Sequence, residues 1–267
     1  MPALVVDTAA LDCFGFGPDP ARLIAAVLPR VERLNLAGED EVLAWTDEAS
    51  GARLVLGCHG VDVRWMWPTL WSPTSTSLGG MSVLREDIVS ASVLDETGTR
   101  AAQLVLRLEE GRTLSADMCT RTWPAAIVAS GPVRVFADEA AFEVDPVSIV
   151  GDPASYPDRP PEHFVERGWA WPPRLAAESL EPVRGTEPVV SLTGTVRAVD
   201  RRRNDLTGRE FTVARVRTLG FELDLCLPAD HGEVRVGAVI AGPVTLVGRL
   251  GPRPGDPRQR WVQRADC

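Results

Sequence analysis

The distribution of proline divides this chain into two parts. Eight of its 22 prolines lie between Asp152 and Pro188. A central strand or a long helix does not tolerate this density, because proline lacks a backbone N–H and clashes with the preceding turn of a helix. Residues 152–187 are therefore predicted to form a strap or linker between a domain at 1–151 and a domain at 188–267. Two domains agree with a length of 267 residues.

The charge balance differs between the two parts. Up to Arg184 the chain has 15 arginines against 27 carboxylates, a balance of -12, and the remainder has 13 against 10, a balance of +3. Such asymmetry is typical of separate domains. It allows a basic contact surface on the second part, while the first part repels polyanions.

The basic residues exclude several chemistries, since all 28 are arginine. Without lysine there is no Schiff-base nucleophile, no Walker A loop and no kinase-type strand lysine. The nearest match to a dinucleotide fingerprint, at residues 15–20, has Pro20 in place of the third glycine. Asp19 is predicted instead to cap a helix that begins at Pro20, and no cofactor is expected.

The five cysteines are odd in number and none is in CxxC spacing, which indicates reduced thiols and a cytoplasmic location. No apolar run reaches the length of a membrane helix, so no membrane association is expected.

The first part is predicted to be α+β with an antiparallel sheet. Apolar residues at helical spacing indicate a helix over about 20–34, and a second helix or turn is expected near 138–142. Alternating runs between them predict strands separated by short turns. Glu110-Gly111 is predicted to be one such turn, with Glu109 facing Arg112 across an exposed hairpin. The predicted strands cover residues 41–45, 53–56, 61–65, 83–94 and 103–108.

Two tryptophan clusters allow two interpretations. Beside prolines, tryptophans at positions i and i+2 are able to line a groove for a flat or extended ligand. Alternatively, the proline-rich strap lays Trp169 and Trp171 across Trp65 and Trp67, so that all four rings are buried. This second interpretation is preferred. The candidate groove residues are Trp65, Trp67, Trp169 and Trp171.

Candidates for catalysis are few. On a strand, the adjacent residues Cys58 and His59 point to opposite faces and do not form a nucleophile–base pair. His163, near Glu162 and Glu166, is a possible partner for Cys58 or for Cys119. Three histidines and scattered cysteines do not indicate a metal site, and none is expected.

The second part has a sharper strand pattern. Five strands are expected, with a short turn or helix over 229–233 between the third and fourth. The predicted strands cover residues 190–200, 209–218, 221–227, 238–247 and 260–263. Together with Gly194, the turn at 204–208, the Leu219-Gly220 hairpin and Gly248, this order resembles an OB-fold, the five-stranded Greek-key β-barrel. The resemblance covers residues 188–267.

The resemblance implies ligand contact on strands two and three and on the loops after strands one and four. Both loops are rich in arginine, as expected where a polyanion backbone docks, and Phe211 is the one candidate for stacking on a base. The implied binding residues are Arg201, Arg202, Arg203, Arg209, Phe211, Arg253, Arg258 and Arg260.

The hairpin register argues against a nucleic-acid face. If Leu219-Gly220 is a two-residue turn, Val216 pairs with Leu223 in the core. The same register leaves the pairs Arg217–Glu222 and Arg215–Asp224 on the outer face, where two carboxylates offset two arginines.

Three functional hypotheses follow. The leading one is a non-enzymatic binding or accessory protein, whose OB-like module contacts a polyanion, such as a nucleic acid, or a protein partner through its arginine-rich loops. The second is an enzyme with an interdomain pocket that uses a cysteine and His163. The third is a structural subunit of a complex.

Overall fold

The fold is mostly β-sheet, as the alternating runs predict. The computed structural model describes residues 4–37, 40–73, 76–95, 97–138, 179–182, 188–218 and 221–251. The strands of this part of the chain form two sheets, one of five strands and one of ten.

The first sheet has the order β1-β5-β4-β3-β2. Strand β1 runs parallel to β5, and the other neighbours are antiparallel. Its strands are β1 (Val5–Val6), β2 (Glu32–Ala37), β3 (Asp40–Thr46), β4 (Ala52–His59) and β5 (Asp62–Leu70).

The second sheet contains two units with the same topology. In each unit three consecutive strands form a meander, and a fourth strand pairs antiparallel with the first, which is the Greek-key order. The first unit is β6 (Thr76–Arg85), β7 (Ile88–Leu94), β8 (Arg100–Leu108) and β9 (Trp123–Ser130). The second unit is β12 (Val189–Arg203), β13 (Glu210–Thr218), β14 (Phe221–Pro228) and β15 (Val239–Leu250).

The two units interlock through their fourth strands. Strands β9 and β15 pair antiparallel with each other, and each also pairs parallel with the third strand of the other unit. The pairing therefore closes two five-stranded rings, β6-β7-β8-β15-β9 and β12-β13-β14-β9-β15, that share the β9–β15 ladder. We call them the first ring and the second ring. This internal repeat of topology was not predicted from the sequence.

Two short strands extend this sheet at its ends. β10 (Arg134–Phe136) pairs with β15, and β11 (Ser179–Pro182) pairs with β12. Strand pairing thus connects the chain on both sides of the proline-rich segment, and the division into domains at 151 and 188 stays a prediction. The strand expected at 260–263 lies outside the described residues.

Helices are short. They are α1 (Thr8–Cys13), α2 (Pro20–Val27) and α3 (Ala116–Cys119). The side chain of Asp19 accepts a hydrogen bond from the Arg22 N–H at 3.1 Å, which confirms the predicted cap. The predicted extent to residue 34 is wrong, because the chain tightens into a 3₁₀ turn at Leu28–Arg30 and then enters β2.

None of the helices in the described ranges has the length and apolar character needed to cross a bilayer. The helix expected near 138–142 falls almost wholly on undescribed residues.

Two main cores hold these layers together. One fills the rings, with residues such as Leu106, Ile127 and Leu225. The other joins α1, α2 and the first sheet to the outer face of β13 and β14, where Phe14, Leu54 and Phe211 take part. The first sheet therefore covers one side of the second ring.

The hairpin between β13 and β14 has the predicted register. Thr218 pairs with Phe221, Val216 with Leu223 and Arg215 with Asp224. The expectation of an exposed Arg215–Asp224 pair is wrong in one respect, because Asp224 is buried. The Ser72 hydroxyl donates to its carboxylate, and Arg215 Nε lies 3.4 Å from Oδ1.

The turn predicted at Glu110-Gly111 is also different. Glu109 is buried and faces Arg53 of β4, whereas Arg112 pairs with Glu86 at 2.5 Å. Residues Gly111–Thr113 form a 3₁₀ turn. The prediction failed because it considered only local cross-strand pairing, and the first sheet packs over this end of β8.

Candidate ligand cleft

A cleft with a volume of about 940 Å³ lies beside the second ring. Helix α1 forms one wall, the residues after β14 form another, and the middle of β15 lies between them. Its floor includes the buried residues Cys13, Ser130, Val133 and Val244. This volume falls within the range of small-molecule sites.

An interruption between two strands opens this cleft. Ala129 of β9 pairs with Leu246, and Arg134 of β10 pairs with Ala241. Both pairs belong to one register, so β9 and β10 follow the same edge of β15 with residues 131–133 between them. Pro132 and Pro243 face this gap, and proline has no N–H to donate to a ladder. The two prolines therefore contribute to the interruption of the ladder beside which the cleft lies.

The rim of the cleft is mainly acidic. Asp7 caps α1 by accepting the Ala10 N–H at 3.1 Å, and Asp12 lies 3.1 Å from Arg209 Nη1. Glu210 and Asp230 complete the carboxylates of the lining. The cleft was not predicted from the sequence, although Asp7 before the apolar spacing of Leu11 and Phe14 is a helix-start signal.

One histidine contributes to the wall. His231 Nε2 lies 2.9 Å from the carbonyl oxygen of Val133, across the gap between β9 and β10. Because a carbonyl oxygen only accepts hydrogen bonds, Nε2 carries the proton of the neutral ring and Nδ1 carries the lone pair. Within the described residues, Nδ1 is buried and has no hydrogen-bond partner.

Three of the described thiols, those of Cys13, Cys58 and Cys226, do not have the character of nucleophiles. Burial raises the pKa of Cys13 to about 11, with further contributions from Asp7 and Asp12. Burial also raises the pKa of Cys226, and burial together with Glu41 raises that of Cys58. A catalytic thiol needs the opposite shift. His163, Glu162 and Glu166 lie outside the described residues, so their proposed pairing with Cys58 or Cys119 stays a prediction.

A metal site is not indicated by the side chains described. Within the described ranges, no three His, Cys, Asp or Glu residues converge in a way that would hold an ion.

The arginine-rich loop after β12 forms hydrogen bonds to the residues that follow α1. The Asn204 side-chain amide donates to Phe14 O at 3.0 Å, and the Thr207 hydroxyl donates to Gly15 O at 2.5 Å. Gly15 has φ +70° and approaches so closely that a Cβ would lie 2.9 Å from Arg209 O. The loop is therefore clamped to the end of α1.

The predicted binding arginines divide into two groups. Arg202 donates to Ser50 O at 2.9 Å and pairs with Asp200, while Arg209 pairs with Asp12. Arg201 and Arg203 are exposed. Arg253, Arg258 and Arg260 lie outside the described residues.

Phe211 is not placed to stack on a base. Its side chain is fully buried in the core beneath the first sheet, among residues of α1 and β4. The outer face of β13 and β14, where the OB-fold resemblance implies ligand contact, is covered at Phe211, Val213 and Cys226, whereas Arg217 on the same face is exposed.

The tryptophans of β5 form a stacked pair. The ring centroids of Trp65 and Trp67 are 4.0 Å apart with an interplanar angle of 5°. The guanidinium of Arg107 lies 4.5 Å from the Trp67 ring, and that of Arg112 lies 5.3 Å from the Trp65 ring. Trp67 is buried, whereas Trp65 is partly exposed and lines a small cavity of about 150 Å³. Trp169 and Trp171 lie outside the described residues.

A buried charge cluster lies where the first sheet meets the first ring. Arg53 bonds Glu109 at 3.3 Å and Glu32 at 2.8 Å, and it also donates to Thr46. Glu110 accepts the Leu250 N–H at 3.1 Å, and the guanidinium of Arg249 lies 3.6 Å from the ring of Trp71. Its position corresponds to the cleft in the second ring, since Glu109 and Glu110 follow β8 as Ala229–His231 follow β14. Charged side chains fill the position after β8, whereas the equivalent position after β14 is an open cleft.

No protein-family model, no curated protein and no solved structure matches this chain.

Proposed function

We propose that this chain is a non-enzymatic binding protein, with OB-like barrels as its scaffold and the cleft beside the second ring as its ligand site. The closed five-stranded rings of Greek-key order support the OB-like assignment. The single observation that carries the binding role is the cleft of about 940 Å³, with an apolar floor and polar groups at its rim. The raised thiol pKa values favour binding over cysteine catalysis. A cytoplasmic location, inferred from reduced cysteines, belongs to the same proposal.

The test uses three probes that share a phenyl body: 2-phenylethylamine, 2-phenylethanol and 3-phenylpropionate. Ligand-observed NMR measures their binding to the whole protein and to two variants. Ala9→Trp places a large ring in the cleft, because Ala9 lines it from α1. Ala25→Trp is the matched control, an exposed alanine on α2 away from the cleft.

Binding of at least one probe that is lost in Ala9→Trp and kept in Ala25→Trp supports the proposal. If no probe binds, or if both variants bind as the wild type does, the cleft is not the site and the proposal fails.

A second candidate function is contact with a polyanion through the loop after β12. The observation in its favour is the exposure of Arg201 and Arg203, which project from the end of a long strand. Fluorescence anisotropy with labelled single-stranded DNA would show binding that falls steeply with salt, because phosphate contacts release counterions. The double variant Arg201→Ala/Arg203→Ala should lose it. Arg22→Ala/Arg30→Ala, which removes two exposed arginines elsewhere, should keep it.

A further inference from the structure

The charge of the cleft indicates what kind of ligand it receives. Four carboxylates line it, from Asp7, Asp12, Glu210 and Asp230, against the single guanidinium of Arg209. With His231 neutral this gives a net charge of -3 among the described residues of the lining. Arg209 is already paired with Asp12, so its charge is locally offset. In the described part of the chain, Glu210 and Asp230 form no ion pair.

Two of these carboxylates also act on a side chain at the floor of the cleft. The Cys13 thiol, buried at the base of α1, is held in its neutral form by burial and, in addition, by Asp7 and Asp12. An anion entering the cleft would meet the same repulsion that opposes a thiolate there. A cation would be attracted, and low-dielectric walls strengthen such attraction.

The wall also contains a polar atom without a hydrogen-bond partner. Since Nε2 of His231 donates to Val133 O, its buried Nδ1 is a hydrogen-bond acceptor, and it has no partner within the described residues. An unused buried acceptor is costly unless a ligand or a water satisfies it. Because Nδ1 is closed off from solvent, it marks the polarity of the wall, and the match to a positively charged N–H donor rests on the carboxylate rim.

We infer that the cleft binds an organic cation, an ammonium or guanidinium group on a short apolar body, with the charge at the carboxylate rim and the body on Val133 and Val244. This inference rests on the proposed ligand-binding function and names the ligand class of that same site. It also distinguishes the cleft from the exposed Arg201 and Arg203 of the neighbouring loop, whose charge would select the opposite kind of partner.

The three phenyl probes test the charge preference directly. We expect 2-phenylethylamine to bind more tightly than 2-phenylethanol, and 3-phenylpropionate to bind most weakly. The double variant Glu210→Gln/Asp230→Asn should weaken binding of the amine by about threefold to tenfold, the range for two exposed charge interactions. It should leave binding of the alcohol unchanged.

A control variant separates a local effect from the net charge of the protein. Glu48→Gln/Asp205→Asn removes the same charge from two exposed carboxylates outside the cleft, and it should not affect the amine. Equal binding of all three probes, still blocked by Ala9→Trp, would overturn the inference while the binding function stands. Absence of any binding blocked by Ala9→Trp would overturn both.

Discussion

Arg53 shows how one residue joins two layers of the molecule. It is the largest fully buried side chain among the described residues, and it sits on β4 of the first sheet. Its partner Glu109 belongs to the first ring and has a side chain only 1% exposed. A buried ion pair is costly to desolvate, and it becomes destabilising once one partner is removed. The stability of the protein is therefore expected to depend strongly on this ion pair between the first sheet and the first ring.

Replacing this arginine should strongly destabilise the protein. Arg53→Met removes the cation that bonds Glu109 directly and leaves only the more distant charge of Arg249, so we expect the free energy of unfolding to fall by about 3 kcal/mol. Chemical denaturation measures the change. Arg33→Met, which removes an exposed arginine paired with Glu41 at 2.8 Å, should cost at most about 1 kcal/mol. Equal losses in the two variants would contradict the role assigned to Arg53.

The neighbouring carboxylate predicts how stability depends on pH. Burial, and then the charge of Glu109, raises the pKa of Glu110 to about 7 in the folded protein, against 4.5 as its ordinary value. The folded state thus binds this proton more tightly than the unfolded state. The resulting stabilisation is complete below about pH 4.5 and is lost as the pH rises through 7.

Glu110→Gln should remove this dependence. The amide is a neutral mimic that still accepts the Leu250 N–H. At pH 8 we expect the variant to be more stable than the wild type by about 3 kcal/mol, with the difference shrinking toward pH 4.5. Urea denaturation at several pH values measures this. Parallel pH profiles for the two proteins would show that Glu110 does not titrate in this range.

Among the elements, β9 has the largest consequence for the fold. Sequence analysis did not predict it, because residues 123–130 lack the alternation of a half-buried strand and contain a proline. Its apolar run, Ala125–Ala129, ends at Gly131-Pro132 and is typical of a strand buried on both faces. By contrast, the β13–β14 hairpin was predicted in full register, since turn geometry and alternation specify it locally.

The pairing of β4 and β5 predicts a spectroscopic effect. Gly57 lies opposite Trp65, and a Cβ at this position would be 1.9 Å from the indole ring. Gly57→Ala should therefore displace Trp65 from its stack on Trp67. We expect loss of the exciton couplet of the stacked indoles in circular dichroism, whereas Trp123→Phe should retain it. A couplet that persists in Gly57→Ala would show that the two rings do not depend on this glycine.

The fold of the whole molecule depends on two strands, β9 and β15, that pair with strands distant in the sequence. The second ring is closed by β9, which comes from before the proline-rich segment, and the first ring is closed by β15 from after it. Neither unit closes its ring alone. A fragment that begins at residue 188 therefore lacks one wall of the barrel that its sequence resembles.

This interlocking predicts that a cut chain stays together. A protease site placed between residues 139 and 178 should yield two pieces that elute as one species in size-exclusion chromatography under native conditions. The fragment 188–267 expressed alone should show a poorly dispersed amide NMR spectrum, because the open edges of β14 and β15 remain unpaired. A well-dispersed spectrum of that fragment would show that it closes its barrel without β9.

The sequence alone was sufficient for features set by near neighbours along the chain. These include the Asp19 cap, the β-rich character, the positions of β12 to β15 and the register around Leu219-Gly220. The run 83–94, predicted as one strand, is divided by a turn between β6 and β7. Backbone sterics, side-chain alternation and turn chemistry act over a few residues, so their effects can be predicted from the amino-acid sequence.

The tertiary structure alone decided which surfaces are free. Phe211 and Asp224 lie on the strand face that alternation assigns to the exterior, yet the first sheet covers both. The acidic cleft likewise combines α1 with strands more than 100 residues away in the sequence. Such features depend on which distant strands pair and which layers pack. That choice is made by the total buried surface and the satisfied backbone hydrogen bonds, and no local pattern encodes it.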